Sequence, residues 1–553
     1  MSVNPVDDLR RAVSEAAAAV RGGGAELTVD PRLERPKRAG LGDFSTNAAM
    51  LLAPALGSSP RVIAERLGAE LAARLGPQLA SWEVAGPGFL NLRLADAWFR
   101  AGVAAVLEAG DRFGGGGAGP RAESILIEFV SANPTGPLVA ASGRHAAYGD
   151  SLARILAHHG NQVWREYYFN DAGNQIRLLG ESVQARARGE EVPEGGYQGA
   201  YVTELAGQIP DAAGRDVTEV TGEAVATLLA QITGTLERYG VRYDSFFSER
   251  TLHQGSPSRV ERVLAALRER GHVYHSEGAD WLRTTSFGDE KDRVVVRSDG
   301  TPTYLAADIA YLDEKLERGF GRQLLPVGSD HHAYVRELKA AMGALGADPE
   351  RLEVPLLQFV HLVEGSERAA FSKRRGAFVT LDELLDEIGV DAARFFMLRS
   401  SHDRTLDLDL DLARSQSAEN PVYYVQYAHA RIASMLARVG PEGVAEAVAD
   451  AATPAGNGGI PHSELHPSER GLILKLLAFD EEVAEAAERR APHRMAAYAV
   501  ELAQEFTAFY RDCRVVGAEP AECERFRIAL SVAAQRTIAL ALGLLGVSAP
   551  ESM

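Results

Sequence analysis

The chain has 553 residues, 46% hydrophobic and 24% charged. That composition is ordinary for a folded protein and excludes a largely disordered chain, a collagen and a disulfide-rich secreted module. Its 58 basic and 76 acidic residues give a formal net charge of −18, which excludes a protein basic over its whole surface and confines nucleic-acid contact to local patches.

At roughly 150 residues per domain, the length predicts three or four domains with several cores. Cys513 and Cys523 have no histidine cluster beside them to complete a zinc site and read as reduced thiols. The N-terminus MSVNPVDDLRRAVSEAA has no apolar signal core, and no run of about 18 apolar residues is evident, so a cytoplasmic protein without a membrane span is expected.

In chain order, VDDLRRAVSEAAAAVR and SPRVIAERLGAELAARLG carry apolar residues three and four apart and predict amphipathic helices. WEVAGPGFLNLRL reads as strand, Gly-Pro-Gly turn, strand. The run GGGGAGP, Gly114 to Pro120, predicts a linker closing an N-terminal α+β domain, residues 1–113. Beyond it ESILIEFV predicts a strand, SANPTGP a turn, ASGRHAAYGDSLARILAHHG a helix and NQVWREYYFN a second strand. Strand–helix–strand spacing of this kind argues a doubly wound parallel sheet. Further strands are expected at DRVVVRS, QLLPVGS and LLQFVHLV, and residues 176–240 read as a helical insertion into this domain, 120–412. From Ala413 to the end four long amphipathic helices, with a loop at Ala452–Pro461, predict an all-α bundle, 413–553. No internal repeat is visible.

Four clusters bear chemistry. The loop EFVSANPTGP ends a strand, and the helix behind it carries Ser142, Gly143, Arg144 and His145, with Glu128 and Asn133 at the same mouth. A helix N-terminus there suits phosphate. The absence of GxGxxG disfavours a dinucleotide-binding oxidoreductase, and a plain strand-to-helix turn stays open. Gly328-Ser329-Asp330-His331-His332 follows the apolar run QLLPV. Adjacent strand positions face opposite ways, so a ribose or base site fits better than a metal held by both histidines, with a helix cap by Asp330 or Ser329 as the alternative. Ala370 to Gly376, AFSKRRG, is a basic loop able to hold a polyphosphate, or a solvated turn. Tyr304 and Asp308 are four apart and share a helix face, where the carboxylate could take a cationic head or stand exposed.

Together with GLGDFSTNAA, VAGPGFLNL, REYYFNDAGNQI, SDGTPTYLAADIAY, VGSDHHAYV, FSKRRGAFVTLDELLDEIGVDAARFFML and NPVYYVQYAHARI, these stretches run nearly end to end. In order and spacing they resemble bacterial arginyl-tRNA synthetases of class I. The resemblance implies a Rossmann-type catalytic domain, an N-terminal domain touching tRNA and a C-terminal anticodon-binding bundle. It implies ligation of arginine to tRNA with ATP and magnesium, for protein synthesis, in a cytoplasmic monomer with no resident metal or cofactor. It assigns arginine to Glu128, Asn133, Tyr304, Asp308 and Glu249, with Asp308 pairing the guanidinium. It assigns ATP to Gly136, Pro137, Gly143, Gly328, Asp330 and Lys373. On one bundle helix Tyr423, Tyr424, Gln426, Tyr427, His429 and Arg431 are candidates for stacking on unpaired bases, with Tyr424, Tyr427 and Arg431 taken as the tRNA contacts.

Two departures stand out. The family's His-x-Gly-His motif is Val139, Ala140, Ala141 and Ser142 here, without either histidine, and Lys-Met-Ser-Lys is Ala370, Phe371, Ser372 and Lys373. Ser142, His145, Ser372 and Lys373 are therefore the expected catalytic groups, with Ser142, His145 and the helix end standing in for the histidines. A non-catalytic synthetase-like tRNA-binding protein is the second reading.

Overall fold

The structure is a computed structural model that describes residues 4–22, 31–36, 40–365, 367–368, 379–452 and 464–553. In the N-terminal part, α1 (Pro5–Arg21), α2 (Ala48–Leu56) and α3 (Pro60–Leu75) accompany an antiparallel sheet. Its strands are β1 (Leu33–Glu34), β2 (Phe44–Thr46), β3 (Leu79–Ala85) and β4 (Phe89–Leu94), in the order β1-β2-β4-β3. The β3–β4 hairpin turns through Gly88, where φ is +140° and a Cβ would stand 2.5 Å from Pro60. Helix α4 (Asp96–Ala109) follows.

The glycine run is not a free linker. The Gly116 N–H donates to His158 O at 2.9 Å and the Ala118 N–H to His159 O at 2.7 Å. A Cβ on Gly114 would lie 2.5 Å from the Phe479 ring, and one on Gly117 2.8 Å from the His159 ring. These glycines permit close packing rather than slack.

The central part continues with β5 (Ser124–Glu128), α5 (Ser142–His158), β6 (Gln162–Phe169), α6 (Asn174–Ala187), α7 (Ala200–Gln208), α8 (Val217–Arg238) and β7 (Ser245–Ser248). Helices α6–α8 share a core of their own, including Leu179, Val202 and Leu228. Next come α9 (Arg259–Glu269), a small antiparallel sheet of β8 (Val273–Ser276), β9 (Ala279–Leu282) and β10 (Arg293–Val296), and α10 (Tyr304–Glu317). After β11 (Arg322–Leu324) and β12 (Val327–Gly328), α11 (His332–Ala344) leads to β13 (Leu352–Glu353). Strands β13-β11-β5-β6-β7 form one sheet, every pair parallel. Numbered along the chain within that sheet, the order is 5-4-1-2-3, the doubly wound arrangement whose winding reverses between its first and fourth strands.

Two expected sheet strands lie elsewhere. DRVVVRS supplies β10 of the antiparallel sheet. LLQFVHLV divides: Leu356–Leu357 pairs with β12, and Val360–Glu364 runs parallel to Leu406–Asp409. Between them the Gln358 carbonyl accepts from the Arg144 guanidinium at 2.8 Å, and the Phe359 carbonyl accepts from the Leu406 N–H at 2.9 Å and more weakly from Arg144 at 3.4 Å.

The C-terminal part holds six described helices from residue 421 rather than four, at 421–439, 441–452, 467–477, 479–488, 493–512 and 521–545. The stretch ERGLILKLLAFDEEVAEAAERR bends at Ala478 into two of them. Ala521–Leu545 is long and apolar enough to cross a membrane by length and composition, which the expectation of no such run overlooked. In the structure 72% of its apolar window is buried, as the central helix of the bundle.

Arg394, fully buried, knots these parts together. It donates to Leu545 O at 2.8 Å, Tyr239 O at 2.9 Å and the Asp150 carboxylate at 2.6 Å. Gly546 (φ +68°) closes the last helix directly against it, where a Cβ would meet Arg394 Nη2 at 2.2 Å. Replacing Arg394 with Met leaves the Leu545 and Tyr239 carbonyls without this donor and the buried Asp150 carboxylate with Arg154 as its close partner, and is expected to cost about 3–5 kcal/mol. Gly546→Ala is expected to destabilise the same junction. Both lower the urea midpoint followed by circular dichroism; an unchanged midpoint contradicts this role.

Candidate active site

The carboxyl ends of β5 and β11 flank the point where the winding reverses, the usual place for a ligand in an open parallel sheet. A cavity of about 690 Å³ opens there. Residues 128–131 after β5, Ser142 and His145 of α5, Asp308 and Lys315 of α10, and the loop into α11 all contribute to its wall. The β5 loop reaches it through two consecutive non-glycine residues in the left-handed region, Val130 (φ +67°) and Ser131 (φ +44°), a strain usually found where a loop serves a site.

The floor is acidic and buried. Tyr168 donates to Glu249 Oε2 at 2.6 Å. Glu128, buried, is already committed: Lys315 Nζ lies 2.5 Å from Oε2, and the Ser131 hydroxyl donates to Oε1 at 3.2 Å. Asp308 accepts from the Tyr334 hydroxyl. Burial above all pushes its carboxyl up to about 7, helped by Glu249 and Glu128 and opposed by the Tyr334 hydrogen bond and Lys315. Tyr311 packs with its ring tilted 30° and 4.7 Å from Tyr168, and donates to Glu166 Oε1 at 2.7 Å, which fixes the ring beneath Lys315. Asp308 and Glu249 thus retain oxygens for a cation, whereas Glu128 has spent both of its own.

The wall formed by α5 is different. The first N–H groups of α5 are used internally: Ser142 donates to Val139 O at 2.9 Å, Gly143 to Ala140 O at 3.0 Å and Arg144 to Ala141 O at 3.1 Å. The expectation of a helix end free to hold phosphate is not met at these positions, because a tight first turn satisfies them. His145 donates to the Pro326 carbonyl, and burial, then the neighbouring Arg144, push its imidazole down to about 4. It is neutral at physiological pH and offers the cavity an acceptor, not a cation. Arg144, buried, is held by the Gln358 and Ser401 carbonyls at 2.8 and 2.9 Å.

Among the expected site residues, Glu128, Asp308, Ser142, His145, Gly328 and Asp330 line this cavity. Glu249 reaches it through Tyr168. Tyr304 does not: it is the first residue of α10 and 66% exposed, and Tyr334 partners Asp308 instead. Asn133 stands outside the lining, donating to Gln175 Oε1 at 3.1 Å and accepting from the Asn170 N–H at 3.2 Å. Gly136 lies against Tyr201 and Gly143 against Leu381, where a Cβ would stand 3.3 and 2.9 Å away, and Pro137 shares the Gly136 loop, so none of the three lines the cavity. Ser372 and Lys373, with the whole AFSKRRG loop, lie outside the described residues. Sequence reasoning missed Lys315, Tyr311, Tyr334 and Tyr168. Lys315 and Tyr311 were within reach, seven and three residues after Asp308 on one helix face.

On the bundle surface Tyr423 and Tyr427 stack 6.2 Å apart at 9°, and the Arg431 guanidinium lies 4.6 Å over Tyr427. Tyr424 turns inward to Thr507. Gln426 and His429 are buried and hold the C-terminal tail at Ser548 and Pro550, so they are not base readers. Among the described residues no group of three or more His, Cys, Asp or Glu is arranged to hold a metal ion.

A doubly wound sheet with a ligand cavity at its reversal point, followed by a helical bundle, is the architecture of class I aminoacyl-tRNA synthetases, and the family matches place the chain among them. Residues 7–94 match the arginyl tRNA synthetase N-terminal domain, 218–433 the catalytic domain of class I (R) tRNA synthetases, and 425–553 the DALR anticodon binding domain. An arginine–tRNA ligase of Frankia alni is 44% identical over 100% of both chains, and one of Geobacillus kaustophilus 43% identical over 97% of each. Arginyl-tRNA synthetase structures from Campylobacter jejuni (33% identity, 83% of this chain and 100% of that one, TM-score 0.75) and Thermus thermophilus (25%, 99% and 100%, TM-score 0.73) share the fold. The chain belongs to the arginyl-tRNA synthetase family.

Because Asp308 binds its proton more tightly folded than unfolded, the stability this confers is present at low pH and lost as pH rises from about 4 to about 7. Asp308→Asn removes that loss. The variant is expected to match the wild type in thermal midpoint near pH 4 and to exceed it at pH 8. Parallel curves for the two proteins contradict a buried, displaced carboxyl.

Proposed function

We propose that this chain ligates L-arginine to its cognate tRNA with ATP, and that the acid floor at Asp308 and Glu249 is where the guanidinium sits. The observation that carries this reading is the desolvated Asp308 carboxyl in the cavity at the sheet's reversal point, with Glu249 buried just behind the Tyr168 hydroxyl that lines it. A planar guanidinium spreads its five donors in a fixed fork that spans two separated carboxylates, whereas a lysine ammonium concentrates its three donors at one atom. In this reading residues 1–113 touch tRNA, 120–412 carry the chemistry and 413–553 read the anticodon. Tyr427 and Arg431, with Tyr423, form the exposed stacking surface.

An arginine carboxylate oxygen attacks the α-phosphorus of ATP, and the bond to pyrophosphate breaks. A ribose hydroxyl of the terminal adenosine then attacks the activated carbonyl, and AMP leaves. Magnesium enters with the nucleotide phosphates. Asp330, exposed beside Gly328, and the neutral His145 are acceptors suited to ribose hydroxyls or the base. Ser142 supplies a hydroxyl donor where the family has its second histidine. Lys373 and Ser372 are assigned to the phosphates.

With purified protein, ATP and magnesium, labelled arginine is expected to accumulate in acid-precipitable tRNA, and labelled lysine is not. Tight tRNA binding without charging favours the non-catalytic reading, which the missing histidines alone recommend. Arg431→Ala with Tyr427→Ala is expected to weaken tRNA binding about tenfold or more while leaving the affinity for free arginine unchanged; equal loss in both assays contradicts a separate anticodon surface.

A further inference from the structure

Lys315 is a buried cation inside a pocket proposed to bind a cation. An ammonium so placed repels the ligand unless something else occupies it, and the structure shows what does. Its Nζ lies 2.5 Å from Glu128 Oε2 and 3.8 Å over the Tyr311 ring, and both charged residues are buried. Tyr311 is itself held by Glu166, which is paired with Arg318 at 2.8 Å. The ammonium therefore has one position, between an anion and an aromatic face. Residues 308, 311 and 315 repeat at three, four and seven positions on α10, so Asp308, the ring and Lys315 are carried on one rigid face.

The groups facing Asp308 are Glu128 from β5, Tyr168 from β6, Glu249 beyond β7, Tyr334 from α11, and Tyr311 and Lys315 from its own helix. Without Lys315 the floor would hold three carboxylates against one incoming guanidinium. With it, Glu128 is cancelled, and Glu249 and Asp308 remain for the ligand.

We propose that Lys315 is a positioning residue for arginine: it neutralises and orients Glu128, so that the floor presents two carboxylates rather than three to the guanidinium. This rests on the reading of the cavity as the arginine site. Lys315 acts on the ligand only through its neighbours. It draws Asp308 towards the ionised form that a guanidinium needs, because it is the cation among the groups that shift that carboxyl.

The test is calorimetric titration of L-arginine into the full chain from pH 6 to 9, on wild type, Lys315→Met, Lys315→Arg and the double variant Lys315→Met with Glu128→Gln. In the wild type, affinity is expected to fall below pH 7. In Lys315→Met that midpoint is expected to move up by about one pH unit, with affinity at pH 7.5 lower by about threefold. Lys315→Arg keeps the charge and is expected to hold the midpoint. The double variant removes the anion together with its partner and is expected to bring the midpoint back towards the wild type, even if the single Met variant folds poorly. A wild-type midpoint in Lys315→Met, or a double variant no closer to wild type than the single one, overturns the proposal. Absence of arginine binding by the wild type overturns the reading beneath it instead.

Discussion

The buried ion pair of Arg394 with Asp150 sets the geometry on which the site depends. Asp150 sits in the middle of α5 and takes Arg394 at 2.6 Å and Arg154 at 2.7 Å. Arg394 uses its other donors on the carbonyls that end α8 and the last bundle helix. Ser151, the next residue, donates to Leu544 O at 2.8 Å. The helix that brings Ser142 and His145 to the cavity is therefore tied at its centre to the insertion and to the bundle. Breaking one partner of such a pair leaves uncompensated buried charge, so each part constrains the others. The N-terminal part is fastened to the bundle by a similar device. Arg470 reaches Asp43 and Asp96 and lies 4.0 Å over Phe99.

At the cavity the same currency of buried charge serves binding. Three carboxylates close together would each resist ionisation in a dry site. The structure relieves this unequally: Lys315 takes Glu128, a tyrosine hydroxyl takes one oxygen of Glu249, and Asp308 is left displaced towards neutral pH. In the proposed reading a guanidinium would complete what the protein leaves unfinished. Stability given up at Asp308 is recovered only when the ligand is present, a common trade at binding sites.

Much of this was legible in the sequence. Helical periodicity marked α1, α3, α5 and the bundle, and the Gly-Pro-Gly turn marked the β3–β4 hairpin. Glu128 and Asp308 were identified as site residues, and both line the cavity. What failed did so for physical reasons. Tyr304 shares a nominal face with Asp308 but starts its helix, so its ring projects to solvent while Tyr334, from another element, fills the place. DRVVVRS has strand character, but period and propensity do not say which sheet a strand joins. Glycines at 114–117 looked like slack because sequence does not show the phenylalanine and histidine rings that press on them. The sequence alone gives Lys315 no partner that distinguishes it from a surface lysine; only the approach of β5 reveals one.

The proposed guanidinium floor turns on Asp308, whose carboxyl burial pushes up to about 7. The direct measurement is the proton balance of L-arginine binding, from calorimetry at pH 7 in buffers of different ionisation enthalpy. With the Asp308 carboxyl near 7 in the free protein and ionised against a bound guanidinium, binding should release about half a proton at pH 7 and less at pH 8. Binding with no proton release at either pH would contradict the account.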